Sequence, residues 1–189
     1  MPKTELKIGG FGGQGVILSG YILGRAASIY DNKYATMIQA FGPEARGSAC
    51  SAELIISDET ITYPYIVAPN VMVLMSQEAY TKFSPELAPG GLLLTEEDLV
   101  STHNLRSDVL HYSIPATRIA EELGKRLVLN IVMLGFMTAI TKIVGREAAR
   151  NAVKVSVPKG TEELNFAAFE KGYEYGLQML ERQPEKSLA

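Results

Sequence analysis

The sequence predicts an α/β domain: three-layered, with a mixed, mostly parallel sheet and a helical C-terminal third. Three observations carry that expectation. Apolar segments of strand length alternate with segments of helical period. A glycine-rich turn, Gly10-Phe11-Gly12-Gly13-Gln14-Gly15, stands between the first strand and the first helix. Val71-Met72-Val73-Leu74-Met75 is apolar without interruption, the pattern of a strand covered on both faces.

In chain order, Leu6-Lys7-Ile8-Gly9 reads as the first strand. After the turn, Val16, Ile17, Leu18, Tyr21, Ile22, Ala26 and Ala27 recur at helical spacing to about Tyr30. Tyr34 to Gln39 is the second strand, expected to run parallel to the first through a right-handed crossover. Ala40 to Gly47 is a loop marked by Gly42, Pro43 and Gly47. Leu54-Ile55-Ile56 is a buried strand, and Thr60-Ile61-Thr62-Tyr63 is expected to return beside it as a hairpin. The strand Val71–Met75 leads to a helix from about Gln77 to Phe83, then to a strand over Gly91–Thr95. Residues 96–108 carry no clear period. Leu110–Ser113 is a last strand, and Pro115 starts a helix that Gly124 stops. Three more helices follow: an apolar one over Leu127–Val144, a short one over Glu147–Val153, and an amphipathic one over Glu162–Glu181. The last has Leu164, Phe166, Phe169, Tyr173, Leu177 and Leu180 on one side.

The 189 residues fit one domain, 1–182, followed by a polar tail, 183–189. A net charge of −3 without charge runs implies no broad basic face for nucleic acid. One cysteine, Cys50, and two histidines, His103 and His111, cannot build an iron–sulfur or thiolate zinc site alone. They also fit a reducing, cytoplasmic location. The longest apolar run, Ile131 to Met137, is far short of the ~20 residues that span a bilayer. A soluble protein with no membrane role is expected.

Gly10-x-Gly12-x-x-Gly15 has mechanical meaning in its place. The first glycine allows the turn, the second lets backbone approach a phosphate, and the third lets the helix pack closely. The helix N-terminus adds free N–H groups and partial positive charge. A dinucleotide site also wants an acid at the end of the second strand. Here that strand ends at Gln39-Ala40, with Asp31 and Glu44 misplaced on either side. This weakens NAD binding. Gln14 adds an amide suited to a phosphate or a partner backbone. A turn with no ligand is the plain alternative.

The loop Phe41-Gly42-Pro43-Glu44-Ala45-Arg46-Gly47-Ser48 should fall at the carboxyl end of the second strand, where open α/β sheets bind ligands. Arg46 offers a fork for phosphate or carboxylate, Glu44 could brace it, and Gly47 and Ser48 permit close approach. A solvated loop with a fortuitous ion pair is the alternative. Cys50 reads as a small buried residue. Ser48, His111 and an aspartate lack the nucleophile-elbow pattern of a triad. Asn130, in an apolar helix, must have its amide satisfied, by a neighbouring loop or by another chain.

The glycine turn, the Pro43-Glu44-Ala45-Arg46-Gly47 loop and the strand Ala52-Glu53-Leu54-Ile55-Ile56-Ser57 together resemble the gamma subunit of 2-oxoacid:ferredoxin oxidoreductases. That group includes the pyruvate, 2-oxoglutarate, 2-oxoisovalerate and indolepyruvate enzymes. The resemblance extends to Ile61–Pro64, the Asn130 helix and Asn165–Gly172. Many relatives have a glycine where this chain has Ser48. The resemblance implies a Rossmann-like subunit, inactive by itself, that helps frame the active site. It implies coenzyme A at a shared site touched by Gly12, Gly13, Gln14, Gly15, Glu44, Arg46 and Gly47, to which the reading of the turn and loop adds Gly10 and Ser48. Thiamine diphosphate, magnesium and iron–sulfur clusters would sit in partners: alpha, beta and ferredoxin-like delta subunits, with ferredoxin as external acceptor. The apolar docking faces could also let the isolated chain form a homodimer. Two rival readings remain: a free-standing NAD- or FAD-binding oxidoreductase, and a pure scaffold.

Overall fold

A computed structural model describes residues 3–41, 48–103 and 105–182. Among the described residues six strands form one sheet in the order β2-β3-β1-β4-β5-β6. They are β1 (Thr4–Phe11), β2 (Tyr34–Ala40), β3 (Ala49–Ser57), β4 (Val71–Leu74), β5 (Leu92–Glu96) and β6 (Leu110–Ile114). β1, β4, β5 and β6 pair in parallel, and β3 runs antiparallel to both β1 and β2. The mixed, mostly parallel sheet is as expected.

Two details differ from the sequence reading. β1 and β2 do point the same way, but they are not neighbours. β3 lies between them, with Ile8 opposite Ala52 on one side and Met37 opposite Leu54 on the other. A small, apolar strand such as β3, buried at eight of its nine positions, fits the middle of a sheet better than its edge. The second difference concerns residues 60–63, which form no strand. β3 already has β1 on one side and β2 on the other, so no ladder beside it is open to them.

The helices are α1 (Val16–Arg25), α2 (Gln77–Phe83), α3 (Ala116–Glu122), α4 (Leu129–Thr141), α5 (Arg146–Ser156) and α6 (Glu162–Arg182). α1 continues into a π-helical turn, Ala26–Tyr30. A 3-10 turn, Arg126–Val128, introduces α4. Strand alternation divides the core. Leu6, Ile8, Leu54, Ile56, Val73 and Leu94 face α1, α4 and α6; Ala49, Met72, Leu74 and Leu93 face α2 with Phe83 and Leu87. The result is three layers of unequal thickness, the thin one built on α2.

The thick layer depends on glycine. α4 is buried along its whole length, and α6 crosses it on a stripe of Ala168, Gly172 and Gly176. A methyl at Gly172 would stand 2.8 Å from the carbonyl carbon of Val132, and one at Gly135 would stand 2.9 Å from that of Phe169. The two backbones touch. On the expected apolar side of α6, Phe169 is buried and Leu164, Phe166, Tyr173 and Leu180 pack against the core, while Leu177 is exposed.

The thin layer holds a buried cation. Lys7 is 6% exposed. Its Nζ stands 2.9 Å from Glu53 Oε1, pairs with Glu86, and lies 4.6 Å from the Phe83 ring centre. Breaking a buried pair from one side leaves a charge unmatched. Lys7→Met is therefore expected to cost about 3 kcal/mol. Lys7→Met with Glu53→Leu should recover most of it. Urea denaturation of both variants checks this; equal losses would show that the charges are not coupled.

Candidate functional site

The carboxyl ends of β1 and β4 and the start of β3 meet on one rim. β1 ends at Phe11, opposite Ala49, and the glycine turn follows. The Gly12 N–H donates to the Ser48 carbonyl at 3.4 Å, which places the start of β3 beside the turn. The Ala49 N–H donates to Glu78 Oε1 at 3.1 Å, so the first turn of α2 joins the same rim. Ser76 caps that helix, accepting from the Ala79 N–H.

Each glycine has its own physical reason. Gly13 (φ 97°) and Gly15 (φ 75°) adopt left-handed backbone, which side chains disfavour by roughly 1–2 kcal/mol. A methyl at Gly10 would press on Gln14 Oε1 at 2.6 Å and Val16 Cγ2 at 2.9 Å. A methyl at Gly15 would stand 2.6 Å from Asn130 Cγ. The third glycine of the motif thus makes room for an asparagine of α4.

Gln14 is engaged inside the turn. Its Oε1 accepts the Phe11 N–H at 2.6 Å and its Nε2 donates to the Met75 carbonyl at 2.9 Å. Asn130, 3% exposed, turns its Nδ2 toward Gly15 O and Ser19 Oγ, both at 3.4 Å. Of the two expected kinds of partner for Asn130, the neighbouring turn is the one found.

Gly12 and Gly13 are exposed. Beyond Gly13 itself and its two chain neighbours, no heavy atom of the described residues lies within 4 Å of the point where a Gly13 Cβ would sit. Gly15 gives α1 no side-chain cap, so it leaves the first-turn N–H groups unserved. An anionic group fits this rim sterically and electrostatically. Glu44, Arg46 and Gly47 lie outside the described residues; Ser48 is described and stands at the rim.

The dinucleotide reading loses ground for a reason the sequence could not supply. Because β3 intervenes, Gln39 stands two strand spacings from β1, roughly 10 Å. An acid there would be one strand too far for a ribose held at the turn. Asp31 lies before the other end of β2 and accepts the Gly145 N–H. His111 pairs with Thr95, Oγ1 to Nε2 at 2.8 Å. β1, β4 and β5 separate it from β3, so no triad with Ser48 forms. Among the described residues, no group of three His, Cys, Asp or Glu side chains could hold a metal ion. No helix of the described residues is long and apolar enough to cross a membrane.

Cys50 is buried in β3 opposite Gly10. Burial raises its thiol pKa, against a smaller lowering by its own backbone N–H. The thiol should stay protonated near neutral pH. Ellman's reagent is expected to label it slowly in the folded chain and at once in denaturant; fast labelling when folded would contradict the burial.

Comparison with known proteins gives concordant results. The family model for pyruvate ferredoxin/flavodoxin oxidoreductase matches residues 5–175. The chain is 52% identical over 174 residues to the 2-oxoglutarate synthase subunit KorC of Methanocaldococcus jannaschii, covering 91% of this chain and 93% of that one. The gamma subunit of a keto/oxoacid ferredoxin oxidoreductase from Geobacter sulfurreducens superposes with a TM-score of 0.82 at 41% identity, over 93% of this chain and 99% of that one. A 2-oxoglutarate:ferredoxin oxidoreductase from Magnetococcus marinus, solved with 2-oxoglutarate, coenzyme A and succinyl-CoA bound, superposes with a TM-score of 0.86. That match covers 95% of this chain and 32% of that one, at 19% identity, and speaks to the fold.

Proposed function

The chain belongs to the pyruvate ferredoxin/flavodoxin oxidoreductase family, and from that premise we propose that it serves an enzyme oxidising 2-oxoglutarate and forms one wall of that enzyme's coenzyme A site. It is a subunit of a 2-oxoacid:ferredoxin oxidoreductase, and its enzymatic role belongs to the complex. The observation that carries the substrate is the 52% identity to a 2-oxoglutarate synthase subunit across nearly the full length of both chains.

In the whole reaction a 2-oxoacid loses carbon dioxide. Its acyl carbon bonds to the coenzyme A sulfur, and the thiol proton leaves. Two electrons pass to two oxidised ferredoxins. Thiamine diphosphate, magnesium and the clusters belong to alpha, beta and ferredoxin-like delta subunits in this reading, and the complex works in the cytoplasm. Coenzyme A supplies the thiol that accepts the acyl group. This chain holds the anionic end of that cofactor. The Gly12-Gly13 backbone and the first turn of α1 face it, with Ser48 beside them. Gly13 supports the assignment, since among the described residues the space over it is clear and its left-handed backbone turns successive N–H groups toward one side.

Reconstitution tests this. The purified chain should oxidise no 2-oxoacid with a viologen acceptor. Added to its partner subunits, it should restore coenzyme A-dependent turnover, fastest with 2-oxoglutarate. Turnover by the single chain would sink the proposal. Preference for pyruvate in the complete complex would remove the substrate but keep the subunit.

A further inference from the structure

We infer that Gln14 is a positioning residue for the glycine turn and makes no contact with the ligand itself. The inference rests on the coenzyme A reading above. Both ends of the Gln14 amide are engaged within the chain. Its oxygen takes the Phe11 N–H at 2.6 Å, and its nitrogen donates to the Met75 carbonyl at 2.9 Å. The side chain therefore bridges the last residue of β1 to the residue that follows β4. It does so across the mouth of the turn, where no regular ladder continues: the β1–β4 pairing ends at Gly9 opposite Leu74. One further bond, Met75 N–H to Gly9 O at 2.9 Å, lies just beyond it.

Gly10 shows how closely this bridge fits. Its missing side chain leaves the space in which Gln14 Oε1 sits, 2.6 Å from an ideal Cβ. The turn closes on itself by a second bond, Gln14 N–H to Phe11 O at 3.1 Å. From the other side Asn130 fills the space that Gly15 leaves. The exposed Gly12-Gly13 pair is thus held between two amides. A turn so held keeps its N–H groups aimed before a ligand arrives, which lowers the ordering cost of binding. One donor and one acceptor position of the amide are taken by these bonds, so a ligand contact by Gln14 would have to use its second N–H or second lone pair.

Two measurements on Gln14→Ala separate the possibilities, with Gln14→Met as a second variant that keeps the bulk. The first is hydrogen exchange of the Phe11 amide in the free chain, read by NMR. The second is KM for coenzyme A and for 2-oxoglutarate in the reconstituted complex. Loss of the bridge should speed Phe11 exchange about tenfold and raise KM for coenzyme A about tenfold, while KM for 2-oxoglutarate stays within about twofold. A raised coenzyme A KM with unchanged Phe11 exchange would overturn the inference and leave the coenzyme A reading standing, since Gln14 would then touch the ligand. Faster exchange with an unchanged coenzyme A KM would overturn both. No change in either would show that the bridge contributes nothing, and would overturn the inference alone.

Discussion

Gly172→Ala is expected to destabilise the chain by about 3 kcal/mol, the upper end of what overpacking a core costs. Intrinsic propensity points the other way: alanine is the better helix former by roughly 1 kcal/mol. Packing wins because the obstacle is backbone. The added methyl would stand 2.8 Å from the Val132 carbonyl carbon and 3.0 Å from the Phe136 amide nitrogen, and neither can rotate away as a side chain could. Relief requires α6 to lift from α4, which opens the contact along Ala168, Gly172 and Gly176. At roughly 2–4 °C per kcal/mol for a chain of this size, Tm should fall by about 6–12 °C. Gly135→Ala should behave alike, since its methyl would meet the Phe169 backbone. Calorimetry against Lys171→Ala, an exposed neighbour expected within about 0.5 kcal/mol of the parent, checks the effect. A Gly172→Ala chain as stable as its parent would mean that the two helices do not meet on this stripe.

The second large effect falls on activity. Gly15→Ala combines two insults: a left-handed backbone at φ 75°, and a methyl 2.6 Å from Asn130 Cγ. Asn130 is 3% exposed and has little room to retreat, so the turn must shift. Misplacement of a binding element by about 1 Å can lower turnover about a hundredfold. A loss of that order in kcat/KM for coenzyme A is expected in the reconstituted complex. Gly13→Ala isolates the backbone component, because no side chain or backbone of the described residues beyond its chain neighbours would meet the added methyl. Its cost in stability should be roughly 1–2 kcal/mol. Equal effects at Gly13 and Gly15 in kinetics would argue that Asn130 is not what makes Gly15 necessary. Gly15→Ala with Asn130→Ala offers a further comparison, since the shorter side chain should restore part of the turnover.

Much of the fold is legible in the sequence, because burial on both faces leaves long apolar runs and helices leave their period. Val71–Leu74 and the helix after the glycine turn are of that kind. The order of strands was not legible in the same way. Whether β2 lies beside β1 or beyond β3 depends on which of two strands fills the middle of the sheet, and local pattern reports burial, not neighbours. The false hairpin at residues 60–63 has the same origin: β-branched residues in a short run look like a strand whether or not a ladder edge is free. The apolar side of α6 is legible, but not that its closest approach to α4 runs along Ala168, Gly172 and Gly176, which recur at every fourth position and mark where backbones can meet. At the site, the motif glycines were legible as a turn. That Gln14 bonds inward was not, since an amide suits a phosphate and a carbonyl equally well. Asn130 was found by its oddity in an apolar helix, and only the fold could say that it faces Gly15.

The place of β3 carries a consequence in time as well as in space. It sits between β1 and β2, both of which precede it in the chain. The first βα unit therefore cannot close its sheet as it leaves the ribosome; it must wait, with two strands apart, for residues 49–57. The thick layer must wait longer, until α6 supplies the stripe that seats α4. Distant pairings of this kind slow folding and leave apolar strands uncovered while they wait. For a subunit that functions only in company, the interval before residue 182 is made is when the chain is most in need of protection.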